Sequence, residues 1–145
     1  MQDFTTFICY SLKATMKKVE KHIGQELEKY GVSMAQSFVL FSLLENDGAT
    51  LSEIGTLAHI ENSSLTTMVD KLEKEGLVER SLFPQDRRVI RLFLTDAGRK
   101  LALEVLSAGA ALNQEFGNNL GDLQPNLLEG LKIVASTIDN LNKIE

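Results

Sequence analysis

Between residues 63 and 74 the chain carries Ser63, Ser64, Thr66, Thr67, Lys71 and Lys74, small hydroxyls and cations at helical spacing. On a wheel of about 100° per residue, Leu65, Met68, Val69 and Leu72 form one narrow apolar stripe at i, i+3, i+4 and i+7. Ser63, Thr67 and Lys74 lie opposite that stripe, flanked by Thr66, Asp70 and Lys71. Small side chains let a helix approach a major groove closely, hydroxyls donate to or accept from base edges, and a helix N-terminus favours phosphate. Taken alone, the same hydroxyls also suit an ordinary solvated helix start. A second group, Asp86, Arg87 and Arg88, stands between two strand-like runs. Arginine suits phosphate contact or a narrow minor groove. Asp86 would be repelled by phosphate, so its expected role is to orient an arginine through a charge-assisted hydrogen bond. A solvated charged turn has the same composition, but the two groups in tandem favour a face that meets double-stranded DNA.

Several elements must position these groups. Positions Ile8, Leu12, Thr15, Val19, Ile23 and Leu27 recur at three- and four-residue intervals, predicting a long amphipathic helix from Phe4 to Tyr30 that Gly31 ends. Ser33 and Gln36 have the spacing of a capping box and open a helix from Met34 to Glu45. That helix is apolar nearly all round and belongs at the centre of a fold. Thr50 and Glu53 form a second capping box ahead of a short helix with Ile54, Leu57 and Ala58 on one face. Asn62 is the expected cap of the next helix, 63–75, which Gly76 closes. Two short helices joined by a tight turn make a helix-turn-helix. Leu77 to Phe83 and Val89 to Leu94 are rich in β-branched and aromatic residues and bracket Pro84 to Arg88, predicting a hairpin with a charged tip. Thr95 then caps a helix to about Leu120, and a last helix runs from Pro125 to about Ile144.

The fold class expected is therefore mainly α with a small β-hairpin, a winged helix-turn-helix with long helices at both termini. The 145 residues are read as a single domain, 1–145, whose DNA-binding part spans 31–100, with the recognition helix at 63–75 and the wing at 77–94. The remaining segments, 1–30 and 101–145, carry more apolar stripe than a small winged-helix core can cover and are read as dimerisation helices.

Net charge is −5, from 15 Lys+Arg and 20 Asp+Glu, which globally speaks against a polyanionic partner. Locally it does not. From Lys71 to Lys100 eight basic residues face five acidic ones, and all five arginines (Arg80, Arg87, Arg88, Arg91 and Arg99) fall in that window. A polyanion feels charge within about 8 Å at physiological salt, so a basic face is compatible with an acidic chain. One cysteine, Cys9, gives no internal disulfide, and no run reaches the length of a membrane span, so a cytoplasmic protein is expected. No nucleophile elbow, phosphate loop or metal-protease motif is present, so an enzyme is not expected. The two histidines, His22 and His59, do not make a zinc site with three or four ligands, and no metal and no cofactor are expected.

The run Leu51 to Ala58, the run Leu65 to Arg80, then Asp86-Arg87-Arg88 and Leu94-Thr95-Asp96-Ala97-Gly98 resemble the signature of the MarR (multiple antibiotic resistance regulator) transcription factors. The resemblance extends over nearly the whole chain. It implies a winged helix-turn-helix homodimer on a pseudopalindromic operator, usually a repressor released by a ligand or an oxidant. Carried over residue by residue, it makes Ser63, Ser64, Thr66, Thr67, Lys71, Arg87 and Arg88 the DNA contacts, with Asp86 orienting the wing arginine Arg88. Family members often bind small aromatic or phenolic effectors, but no polar anchor for one is assignable here, and Met16, Tyr30, Phe38 and Phe41 are expected as core. Part of the family senses peroxide through an N-terminal cysteine; free cysteines are commonly buried and inert, and that is the expectation for Cys9. The rival to a DNA reader is a winged-helix module that pairs with another protein.

Overall fold

Helix α2 (Met34–Glu45) has too little polar surface to sit anywhere but the middle, and Val39, Leu40 and Leu43 on it are fully buried. Its capping box forms as expected: Ser33 Oγ accepts from Gln36 N at 3.1 Å and Gln36 Oε1 accepts from Ser33 N at 2.8 Å. The structure is a computed structural model describing residues 1–143, apart from the side chains of Phe83, Asp86 and Arg87. The described residues form six α-helices and one antiparallel hairpin. They divide into two compact units, Met1–Leu106 and Ser107–Glu145.

In the first unit, α1 (Ile8–Leu27) is preceded and followed by single 3-10 turns, Phe4–Thr6 and Glu28–Tyr30, so the expected long helix arrives as three pieces. Gly31, in the left-handed region at φ 71°, ends it. Helix α3 (Leu51–Ala58) starts on the Thr50/Glu53 capping box and buries Ile54 and Gly55. Helix α4 (Asn62–Lys74) buries Leu65, Val69 and Leu72 completely. Asn62 is not its cap. Glu61 occupies that position in extended backbone without a side-chain cap bond, and Asn62 is already the first helical residue. The displacement follows from His59, whose left-handed φ of 55° turns the chain early enough for Glu61 to accept the first helical bond, from Leu65 N at 2.9 Å. At the other end, Leu77 N reaches Leu72 O at 2.9 Å and Gly76 N reaches Glu73 O at 3.0 Å, a paired closure that needs the positive φ of Gly76.

Strands β1 (Val78–Phe83) and β2 (Asp86–Leu94) pair with Val78 opposite Leu94 and Leu82 opposite Ile90. The register then jumps, and Phe83 faces Asp86. Asp86, Arg87 and Arg88 therefore belong to the second strand, and the turn is reduced to Pro84 and Gln85; the expected five-residue tip is corrected. The jump leaves Arg87, Arg88 and Val89 as an irregularity on β2, which absorbs the length that the sequence pattern read as loop. Helix α5 (Asp96–Leu120) begins in this unit and supplies Ala102 and Val105 to the core. Tyr30 and Phe41 pack against that core, but Phe38 and Met16 stay 41% and 39% exposed in the single chain, so both are corrected as core residues. Cys9 is exposed as well, against the expectation of burial.

The second unit holds the rest of α5 and α6 (Leu123–Asn142), joined by a turn at Gly121 (φ 54°). Helix α6 starts two residues before Pro125, which sits in the first turn where its missing N–H costs nothing. Its expected end at Ile144 lies outside the described residues. Leu123, Leu127, Leu131, Ile138 and Leu141 along α6 are all exposed in the single chain. No helix among the described residues is long and apolar enough to cross a membrane.

Candidate nucleic-acid interface

The helix-turn-helix is held by two backbone constraints. A Cβ on Gly55 would stand 2.9 Å from Ile60 O, so α3 and the turn approach as closely as they do because residue 55 has no side chain. Ile60 N closes back on Gly55 O at 3.0 Å. With Leu65, Val69 and Leu72 buried, the opposite side of α4 faces outward, and Ser63, Ser64, Thr66, Thr67 and Lys71 are all exposed on it. The threonines are already oriented. Thr66 Oγ1 donates to Asn62 O at 2.9 Å and Thr67 Oγ1 to Ser63 O at 3.4 Å. With its proton committed to the helix, Thr66 Oγ1 suits donor groups such as the amines of adenine and cytosine, whereas the long Thr67 bond leaves that hydroxyl able to donate or to accept. Lys71 makes only a long 3.9 Å contact with Glu75, both side chains well solvated, so it can leave that pair for a phosphate at little cost.

The hairpin adjoins α4 and is fixed at its base from three sides. Gly48 N donates to Leu92 O at 2.8 Å and Leu92 N to Ala49 O at 2.9 Å, while Thr50 bridges to Arg91, so the α2–α3 connection runs along β2. Arg91 Nη1 donates to Gly48 O at 2.9 Å. Asp47 accepts from Leu94 N at 2.9 Å and pairs with Arg99 at 2.8 Å, joining the end of α2, the end of β2 and the first turn of α5. On the far side of the hairpin, Arg80 of β1 donates to Asp70 of α4 and lies 3.9 Å from Glu73. Arg88, in the irregular part of β2, is exposed. The contact assigned to Arg87 and the orienting pair Asp86–Arg88 involve side chains outside the described residues.

The MarR family profile matches residues 32–90, the stretch from just before α2 to the middle of β2. The HTH-type transcriptional repressor MdtR of Bacillus subtilis (strain 168) is 39% identical over 106 residues, which cover 73% of this chain and 68% of that protein. The chain belongs to the MarR family. Among solved structures, the transcriptional repressor CouR bound to a 23-mer DNA duplex is 28% identical, with a TM-score of 0.84 over 93% of this chain and 99% of that one. The YusO protein of Bacillus subtilis is 34% identical, with a TM-score of 0.61 over 91% and 92% of the two chains. The winged-helix expectation is thereby confirmed, and MdtR and CouR are by name transcriptional repressors.

In this MarR-family chain, three of the five arginines in the basic window hold the fold together. Arg80, Arg91 and Arg99 are engaged inside the protein, by carboxylates or a backbone carbonyl. Local net charge therefore overstated the cations directed outward. Asp47, Gly55, Arg80 and Gly98 have fixing roles that composition and spacing did not assign to them. Gly98 packs so closely on the Leu77 backbone that an added Cβ would stand 1.9 Å from Leu77 O. The Leu94-Thr95-x-x-Gly98 spacing was the available signal: Thr95 Oγ1 accepts from Gly98 N at 3.0 Å and donates to Gly76 O at 2.6 Å, tying α5 to the base of the wing. Among the described residues no group of His, Cys, Asp and Glu could hold a metal ion.

Proposed function

We propose that this chain binds double-stranded DNA sequence-specifically as a homodimer on a pseudopalindromic operator and acts as a ligand-responsive repressor. The observation that carries this reading is the outward face of α4, where Ser63, Ser64, Thr66, Thr67 and Lys71 stand exposed above a fully buried Leu65/Val69/Leu72 stripe. These five residues make the base and phosphate contacts from the major groove, and Arg87 and Arg88 make the wing contacts, Asp86 orienting Arg88. The duplex in the 28%-identical CouR structure supports DNA as the partner, and the names of both MdtR and CouR support repression. The functional parts are 31–100 for DNA binding and 1–30 with 101–145 for dimerisation. Exposed Phe4, Ile8 and Leu12 in the first unit and the α6 stripe in the second support a second copy as what covers them. Twofold pairing then sets two recognition helices about 34–36 Å apart, one turn of DNA. A small aromatic or phenolic effector is carried over from the family, and a thermal-shift screen with phenolic acids tests it. The cytoplasm is the compartment this function requires.

Titration of a duplex from upstream of the gene at several salt concentrations tests the central claim. Log K falls linearly with log salt, and Arg88→Ala lowers the slope by about 0.9 for each phosphate that the arginine neutralises. Relaxed sequence preference in Arg88→Ala would place that arginine in the minor groove. Affinity that ignores salt and tolerates Arg88→Ala would instead favour a protein partner.

A further inference from the structure

Asp70 is misplaced for a helix that meets DNA. On the α4 wheel it falls within about 30° of the centre of the outward face, between Thr66 and Lys74 and on the same side as Ser63 and Thr67. Its side chain is 52% exposed, and Glu73 beside it is 42% exposed. Two carboxylates on this surface oppose the phosphates that Lys71 and the helix N-terminus attract. The hairpin supplies the remedy. Arg80 projects from β1 across to α4, donates from Nη2 to Asp70 Oδ1 and brings Nε to 3.9 Å from Glu73 Oε2. It is the more buried partner, at 31% exposure.

We propose that Arg80 is a positioning residue of the DNA face, whose guanidinium masks Asp70 and Glu73 so that α4 presents its hydroxyls and Lys71 without a competing negative field. The inference rests on the DNA-binding reading and assigns Arg80 no contact with DNA. It also explains why an exposed ion pair, ordinarily of little value to stability, joins the recognition helix to the wing. Removal of the mask returns about one negative charge to the interface. One charge shifts the salt slope by up to about 0.9, which over the decade from 1 M to 0.1 M salt is about eightfold in affinity.

The test uses the full-length protein and a 30-base-pair duplex that the wild type selects from a random-sequence library, with affinity measured across salt and thermal unfolding measured in parallel. Arg80→Met is expected to bind about tenfold more weakly near 0.1 M salt, with Tm within a few degrees of wild type. Adding Asp70→Asn to Arg80→Met removes the nearer of the two masked carboxylates, returns the local net charge to its wild-type value and is expected to restore affinity to within about threefold. Arg80→Lys, which keeps the charge but loses the planar fork, falls between them. Asp70→Asn alone leaves Arg80 uncompensated on that side and is expected to bind more tightly with a steeper salt slope, a result that stands even if Arg80→Met fails to fold. The inference is overturned if Arg80→Met binds like wild type, if Asp70→Asn gives no rescue, or if Asp70→Asn alone weakens binding, since the pair would then act as a mechanical clip. A wild type that selects no duplex from the library overturns the DNA reading itself, and this inference with it.

Discussion

Replacing Gly98 with alanine sets two ordinary effects against each other at one site. In a helix interior the exchange usually gains about 1 kcal/mol, and Gly98, third residue of α5 with its N–H on the Thr95 cap, stands to gain at most that. Here the new Cβ would stand 1.9 Å from Leu77 O and 2.8 Å from Leu77 C, about 1.5 Å inside the 3.4 Å at which ordinary contact begins. The obstacle is backbone, so no rotamer change relieves it, and Leu77 O also accepts from Thr95 N at 3.1 Å. Overpacking of this kind costs about 1–3 kcal/mol and sometimes more; an immovable carbonyl places it at the upper end. Net destabilisation should therefore be about 2–3 kcal/mol, a fall in Tm of about 10 °C for a chain of this size. Gly109→Ala in the same helix is the comparator, because a Cβ there meets nothing within 4 Å. It should gain about 0.5–1 kcal/mol. Thermal and urea unfolding followed by circular dichroism, all variants at one protein concentration, measure both. A Gly98→Ala protein as stable as Gly109→Ala would refute the claim that close approach of α5 to the wing base dictates glycine at this position.

Two further substitutions probe the same frame. Thr95→Val keeps the shape but removes both the acceptor for Gly98 N and the donor to Gly76 O, and should cost about 1–2 kcal/mol in urea unfolding; Thr95→Ser should recover most of it. His59 holds a left-handed φ of 55° that disfavours side chains, so His59→Gly should raise the unfolding free energy by about 0.5–1 kcal/mol and His59→Val should lower it by about 1–2 kcal/mol.

The features legible in the sequence are those made by neighbours in sequence. Both capping boxes, the left-handed closures at Gly31 and Gly76, the central place of α2 and the buried stripe of α4 depend on residues no more than a few positions apart, and each appears where spacing predicted it. The misplaced features depend on longer-range geometry. Asn62 has good cap chemistry, but the turn at His59 starts the helix one residue sooner. Asp86 to Arg88 look like loop because their charge breaks the apolar alternation, yet a register jump carries them within β2. Arg80, Arg91 and Arg99 bond partners 10, 43 and 52 positions away, so a count of charge in a window could not tell anchoring arginines from presenting ones.

That separation of roles bears on how such a reader can be switched. The wing is bonded to the α2–α3 connection through Gly48, Ala49 and Arg91, to α5 through Asp47 and Thr95, and to α4 through Arg80. Each link crosses between elements that themselves bury apolar side chains in one core. Distorting the α4 face relative to the hairpin would break several of these bonds together, and packed cores of this kind resist continuous deformation. In the proposed dimer the less costly variable is the distance between two intact readers, because one turn of DNA fixes it narrowly while each reader's internal geometry stays the same. An effector would then act by favouring a dimer spacing that the operator cannot match, to the extent of its differential affinity for the two spacings.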